Sequence, residues 1–447
     1  MFNKVLVFWI CTASLLFSID FQMENAANIY QEDFNLLTKK IVESHPGFYG
    51  EAPILDVNNI NYLYTVAMES LSDIDSNTDF YFIVSKFLKS LHDGHANITY
   101  GMFDYLVLPI HFTWINGELY VTEVYKEKYE ECKNKVVVKV NNMSVDFFEQ
   151  AINDYLPSDY NNYFRMRREI FGSNFQMVTY DFHKRIFPDV SDHITLTFND
   201  KSTIDINYVN VMQCEEIFDD TVCARNDITK ALFKHSYQIY KNYDIAYYQA
   251  SSKKLTEGFV ESLFQDIKDN EIDNLIIDLR NCGGGAGGEG IIEFIPYLIS
   301  EEREIYSFNG YVVRDNELVL MDGNQSTFTL TPVSSGLQFK GNVYIFVNSF
   351  TFSAANLATL IFKNNKLAII MGEPTGNNYT RFGHSCKVFL PNTEMKASFS
   401  TKLWENVHGK NEFTRTIEPD IFVAPTIVDY VTGTDAVWDY CLKYINK

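Results

Sequence analysis

The sequence predicts an α/β protein: a mainly parallel sheet with helices packed on it, preceded by a helical unit and a β-rich one. Three observations lead there. From about Tyr243 onward, short apolar strand-like runs alternate with amphipathic helical ones, the order a parallel sheet needs for its crossovers. Val343–Val347 is β-branched and aromatic, breaks at Asn348–Ser349, and resumes as the helical run Ser353-Ala-Ala-Asn-Leu-Ala-Thr-Leu-Ile-Phe362. The chain's 447 residues exceed one ordinary hydrophobic core, so two or three domains are expected.

Composition narrows the function classes. A hydrophobic content of 46% with 15% aromatic residues excludes a disordered chain. The net charge of -21 argues against nucleic acid as a partner and against docking on anionic membranes, because no basic stripe exists to meet phosphates. Lys4 precedes the apolar run Val5–Phe17, and polar sequence follows from Asp20. This is the layout of a secretory signal, expected over residues 1–22. The run is too short for a stable membrane span. In an exported chain Cys214 and Cys223 form the expected disulfide pair, and the absence of Cys-x-x-Cys argues against a zinc ribbon. Two glycosylation sequons, Asn97-Ile-Thr99 and Asn378-Tyr-Thr380, matter only in a eukaryotic lumen.

In chain order, residues 29–45 and 56–91 carry helical spacing (Phe34, Leu37, Ile41; Ile60, Leu63), with a third helix over Phe80–Leu91. That helix runs into His92-Asp-Gly-His95, where Gly94 suits a tight turn. The unit is a helical domain over 23–103. Strands follow at Tyr105–Phe112, Leu119–Val124 and Val136–Val140, with turns at Asn116-Gly117 and Asn141-Asn142, then a helix at Val145–Tyr155. His193–Phe198 and Thr203–Val209 read as a hairpin. The set is a β-rich module over 104–215, of the kind a reduced PDZ-like domain would show, though residues 156–192 have no dependable period. The core, 216–447, has strands at Ile245–Gln249, Asn274–Leu279, Val343–Val347 and Ala368–Met371. Helices fall at Leu255–Lys268 and Gly288–Ile299, late strands at Val388–Leu390 and Met395–Ser400, and a closing helix at Ile427–Tyr444.

Each motif has two readings. A serine where a buried strand becomes a helix lies beside free N–H groups and the positive end of a helix dipole, a place suited to a developing oxyanion. Ser353 or Thr351 would otherwise simply cap the helix. Leu275–Leu279 runs into Arg280-Asn-Cys-Gly-Gly-Gly-Ala-Gly-Gly-Glu-Gly290, whose glycines permit positive φ and close backbone approach. The formal Gly283-x-Gly285-x-x-Gly288 dinucleotide pattern is set aside, since it follows no first strand and no ribose-binding acid succeeds it. His92 and His95 resemble half a metal site but lack a third ligand, and His92 alone suits a helix terminus.

Taken together, Asp278-Leu-Arg-Asn-Cys-Gly-Gly-Gly285, Thr351-Phe-Ser-Ala-Ala355 and Gly372-Glu-Pro-Thr-Gly376 resemble the C-terminal processing (tail-specific) serine peptidase family. Ile417-Glu-Pro-Asp-Ile421 resembles its near-terminal segment, and Leu91-His-Asp-Gly-His95 the histidine motif of its tricorn-like branch. The resemblance implies a crotonase-like catalytic core, with Ser353 as nucleophile and His95 as general base. It implies oxyanion donors at the N–H groups of Gly284 and Ala354, and Glu412 orienting the histidine, with Glu405 in reserve. The branch that uses a Ser–Lys dyad carries a lysine after the Gly372–Gly376 motif. Here Asn377-Asn-Tyr-Thr-Arg381 stands in that place, and Lys387 is the nearest lysine downstream. Cys282 replaces an asparagine common in relatives. The reading is an exported serine endopeptidase, secreted or periplasmic, acting on peptides or unfolded proteins, with no metal or organic cofactor implied. The competing reading is a non-catalytic peptide- or apolar-ligand-binding protein on the same scaffold; an esterase-like hydrolase is a third.

Overall fold

The computed structural model describes residues 21–446 apart from 51–53, 100–105, 161–177, 188, 211–233, 281, 322–326, 335 and 407–411. The expected signal at residues 1–22, save its last two residues, and the expected Cys214–Cys223 pairing lie outside these residues. Cys132, Cys282 and Cys441 are buried free thiols, and Cys386 is a partly exposed one. No helix among the described residues is long and apolar enough to cross a membrane.

Three helices form the N-terminal unit: α1 (Ile29–Ser44), α2 (Val57–Ser70) and α3 (Asn77–Lys89). Each starts where a short polar side chain accepts from the first turn: Asn28, Asp56 and Ser76. Phe34, Leu37 and Ile41 recur on one face of α1 and are fully buried. The helices alone do not complete their core. Val388, Leu390, Met395, Ala397 and Phe399, from the other end of the chain, fill it. Asp33, 1% exposed, locks that contact by accepting from the Asn392 and Thr393 N–H groups and from the Thr393 hydroxyl. After α3 the chain turns through His92 at φ 46° and Gly94 into a short strand, β1 (Asn97–Thr99).

The β-rich module is an antiparallel sheet of β2 (Ile110–Ile115), β3 (Glu118–Val124), β4 (Val136–Val140), β5 (His193–Phe198) and β6 (Thr203–Asn207), in that order, with β2 at its edge. The β2–β3 turn is Asn116-Gly117 with φ of 51° and 84°, the geometry an Asn-Gly hairpin favours. The strand expected at Tyr105–Phe112 is interrupted: Leu106–Val107 pairs antiparallel with Val209–Asn210, and β2 starts at Ile110, past Pro109, which has no N–H to give a ladder. Helix α4 (Val145–Asn153) packs Phe148 and Ile152 against the sheet.

The core contains β7 (Ser236–Tyr240), β8 (Ile245–Gln249), α5 (Phe259–Asp269), β9 (Asn274–Asp278), α6 (Gly285–Gly290) and the hairpin β10 (Phe308–Arg314)/β11 (Glu317–Leu320). Then come β12 (Asn342–Val347), α7 (Ala354–Asn364), β13 (Ile369–Gly372), the hairpin β14 (Arg381–Phe389)/β15 (Lys396–Asn406), β16 (Ile421–Phe422), α8 (Ile427–Thr432) and α9 (Ala436–Ile445). The central sheet has the order β7-β8-β9-β12-β13-β16, parallel from β8 to β16, with β9 buried throughout. The expected closing helix is two helices, because Gly433 ends the first at φ 67°. The expected helix from Gly288 starts earlier, at Gly285, so the glycine run is itself the helix start.

A second sheet decides the site. Its order is β1-β15-β10-β11, with β14 on β15. Strand β1 pairs Asn97 with Ser398, so the turn that leaves the helical unit is stitched onto the C-terminal hairpin. Removing the lock on that contact, by Asp33→Ala, leaves several buried donors unpaired and is expected to lower stability by about 3 kcal/mol in urea titrations.

Candidate active site

Strand β12 delivers the chain to a turn held by its own polar side chains. The buried Thr351 hydroxyl donates to the Leu279 carbonyl (3.0 Å), and Asn348 Oδ1 accepts from the Phe350 N–H (2.9 Å). Ser353 follows at φ 51°, ψ -120°, outside the regions L-residues ordinarily occupy, and its side chain makes no cap hydrogen bond. The helix-cap reading therefore fails for Ser353, and Thr351 is a turn-former. Backbone strain of this kind clusters at functional sites. That hydroxyl lies 3.0 Å from His95 Nε2, across 258 residues of sequence.

The glycine run lies against this turn. Gly284 has φ 99°, and a Cβ there would sit 2.6 Å from Ser353 Cβ and 2.7 Å from the Ala354 nitrogen. A Cβ on Gly288 would come within 2.4 Å of the Ala355 nitrogen. Glycine is thus required for α6 to press its backbone onto the start of α7, bringing the Gly284 and Ala354 peptide groups together. Cys282 is buried below, its Sγ donating to the Ser251 carbonyl (3.4 Å). Burial pushes the thiol up to about 11, against the Gly284 N–H beside it, so it is a packed, neutral group.

His95 stands on the turn between α3 and β1. Asp93, fully buried, accepts from the His95 N–H (2.8 Å), the Ser400 N–H (2.6 Å) and the Ser400 hydroxyl (2.7 Å). Its Oδ1 lies 3.9 Å from His95 Nδ1, and its Oδ2 lies 3.6 Å from Nε2 of the buried His45. Burial works against the Asp93 charge, but the hydrogen bond and charge of His45, then His95 and Ser400, outweigh it and hold the carboxyl well below the usual range. His45 Nδ1 accepts from the Gly47 N–H (3.1 Å), which leaves the Nε2 proton for Asp93. His92, the other histidine of the motif, stacks on Tyr160 with ring centroids 3.8 Å apart. Burial and Lys89 lower it to about 4, so it is neutral at pH 7.

Sequence reasoning missed the groups behind the serine. Asn377 Oδ1 accepts from the Ser353 N–H (2.5 Å), and Arg381 donates to the Ser353 carbonyl (3.1 Å) and the Asn378 carbonyl (3.0 Å). Burial lowers Arg381 to about 10, opposed by the charge of Asp159, so it remains a cation. Asp159 lies in the stretch without a dependable period. No local signal points to it, and Asn377 and Arg381 stand out in the sequence only as part of a segment without lysine. Asn378 is fully buried, so its sequon is closed in the folded chain.

The remaining candidates lie elsewhere. Glu412 pairs with Arg415 (3.0 Å) and meets Asn406 (3.5 Å), and Glu405 accepts from Tyr311 (3.2 Å). Among the described residues, the carboxylate within 4 Å of His95 Nδ1 is Asp93. Lys387 is exposed on β14.

With this geometry established, comparison with known proteins shows what the chain is similar to. Residues 244–423 match the model of peptidase family S41. The carboxyl-terminal-processing peptidase 2 of the Arabidopsis thaliana chloroplast is 28% identical over 116 residues, 26% of this chain and 20% of that protein. The chain thus aligns with about a fifth of that relative's length. The fold is that of mature CPAF: its lactacystin complex superposes with a TM-score of 0.65 at 15% identity, covering 94% of this chain and 99% of that one. A second structure of mature CPAF gives 0.62 at 14% identity, with 94% and 98% covered.

The Asp93 cluster makes a test of its own. A carboxyl held below its unfolded pKa stabilises the fold above about pH 4, and that contribution fades as the pH falls toward its folded value. Asp93→Asn is therefore expected to lose about 3 kcal/mol at pH 7, with the gap to the parent chain narrowing below about pH 4 in urea titrations.

Proposed function

We propose that the chain is an exported serine endopeptidase acting on peptides or unfolded proteins, with Ser353 as nucleophile and His95 as general base. The observation that carries this is the 3.0 Å contact between His95 Nε2 and a Ser353 hydroxyl that is held at positive φ and does no capping. His95 Nε2 takes the hydroxyl proton as Oγ attacks the scissile carbonyl. It returns the proton to the leaving amine, and water then releases the acyl group by the reverse sequence. The Nδ1 proton faces Asp93, whose permanent charge favours the imidazolium formed in the first step; Glu412 and Glu405 serve their own contacts instead. The N–H groups of Gly284 and Ala354 receive the oxyanion, each contributing about 3 kcal/mol to the transition state.

The substrate reading rests on shape. Strand β2 is a sheet edge, and a cleft of about 490 Å³ opens between its Trp114 and the Asn348–Phe350 turn that precedes Ser353, beside the serine and histidine rather than lined by them. An extended chain pairs with such an edge through its backbone, leaving side chains to the cleft. The chloroplast relative is a processing peptidase for carboxyl termini by name, and C-terminal segments are the substrate class that likeness favours. The crotonase-like description of the core and the PDZ-like description of the β-rich module belong to this same reading, as does export through the signal at residues 1–22.

A fluorophosphonate probe tests the assignment: the parent chain is expected to be labelled on Ser353, and Ser353→Ala and His95→Ala to lose labelling. A parent chain that takes no label, yet binds peptides, would instead be a binding protein on this scaffold. Gly284→Ala, which adds a Cβ against Ser353, is expected to lower kcat by at least about 10²-fold on a peptide substrate.

A further inference from the structure

We propose that Asp159, from the β-rich module, is a positioning residue that holds the serine and the histidine in register through one buried carboxylate. The proposal rests on the assignment of Ser353 and His95 above. Asp159 is 3% exposed and receives three donors: the Gly94 N–H on Oδ1 (2.8 Å), and Asn377 Nδ2 (2.8 Å) and the Asn378 N–H (3.1 Å) on Oδ2. Gly94 is the residue before His95. Asn377 is the residue whose Oδ1 holds the Ser353 N–H. One rigid group therefore fixes the backbone beside the base and, through one amide, the backbone of the nucleophile.

The chemistry at position 159 calls for an acceptor only. With Asn377 Oδ1 on the Ser353 N–H, its amide nitrogen must face an acceptor, and the carboxylate is that acceptor. An amide at 159 would turn an NH₂ toward one of three donors. Burial pushes the Asp159 carboxyl above its ordinary range, and the three donors, which favour the ionised form, oppose that shift. The buried anion needs a compensating charge, and Arg381 supplies it nearby, donating to the Asn378 and Ser353 carbonyls. Both backbone groups of Ser353 are thus held from outside its own helix. A base and nucleophile from opposite ends of a chain must meet within about 0.5 Å, which demands a group that touches both sides. The neighbours of Asp159 dock the same segment on the helical unit: Tyr160 stacks on His92 and Ser158 bonds Lys89. Asp159 alone of these three reaches Asn377 and Asn378 as well.

The test uses the full chain and three variants, Asp159→Asn, Asn377→Ala and the double exchange D159N/N377D. It reads the fluorophosphonate labelling rate, kcat and KM on a peptide, and the thermal midpoint. Loss of register is expected to slow labelling and lower kcat by about 10²-fold in D159N and about tenfold in N377A, with KM changed less than about threefold. The double exchange is expected to recover at least about tenfold over D159N, because a carboxylate at 377 accepts from both the Ser353 N–H and the amide at 159. Labelling and kcat at the parent level in folded D159N or N377A would overturn the proposal, as would a double exchange no better than D159N. Should D159N fail to fold, N377A decides, since it leaves two of the three bonds to Asp159 in place. A parent chain without labelling sinks the peptidase reading itself, whereas labelled variants at parent rates sink only the role of Asp159.

Discussion

Everything at the candidate site depends on a three-residue strand pairing. Strand β1 lies antiparallel on β15 with Asn97 opposite Ser398, and directly before it Asp93 takes both the N–H and the hydroxyl of Ser400. Ser398 adds a hydrogen bond to the His95 carbonyl (3.1 Å). A loop of some 300 residues is closed by these contacts, at an entropy cost that rises only slowly with its length. The hydrophobic core of the helical unit meets that cost by including the tip of the same hairpin. Without this closure His95 would be a loop histidine with no partner chemistry.

The serine side is built on a different principle. There the backbone is forced, through a glycine pair and a positive φ, into a conformation that leaves the hydroxyl out of helix capping. Strain of this kind costs on the order of 1–3 kcal/mol and persists only where surrounding bonds over-determine it. Asn377 and Arg381 do so on the two backbone groups of Ser353, and the close contact of α6 with α7 does so from the other side. The two halves differ in kind: electrostatics and strand pairing hold the histidine, and steric fit together with hydrogen bonds to both backbone groups holds the serine.

The charged groups are arranged in layers. Asp93 sits between two histidines, Asp159 among three donors with Arg381 close by, and Arg280 between Asp278 and Asp435. Each is a buried or half-buried carboxylate or guanidinium with local partners, which is how a chain of net charge -21 carries carboxylates close to Ser353. Glu412, expected from sequence to face His95, is instead part of the surface pair with Arg415. Spacing along the chain fixed its neighbourhood but not the direction of its side chain.

Much of the fold is legible in local pattern. Strands such as Ile245–Gln249 and Val136–Val140 carry their period in their own residues, and the strand–turn–helix around Ser353 and the glycine run after Asp278 announce themselves by composition. The sequence by itself determined the α/β alternation, the serine at the strand–helix junction and the histidine on its turn, because each is a short-range property of consecutive residues. Only the tertiary structure decided that His95 and Ser353 meet, that Asp93 rather than Glu412 lies beside the imidazole, and that Asp159 reaches both. These are contacts between segments hundreds of residues apart, set by sheet order and core packing, and a single buried aspartate in an aperiodic stretch leaves no mark in the sequence.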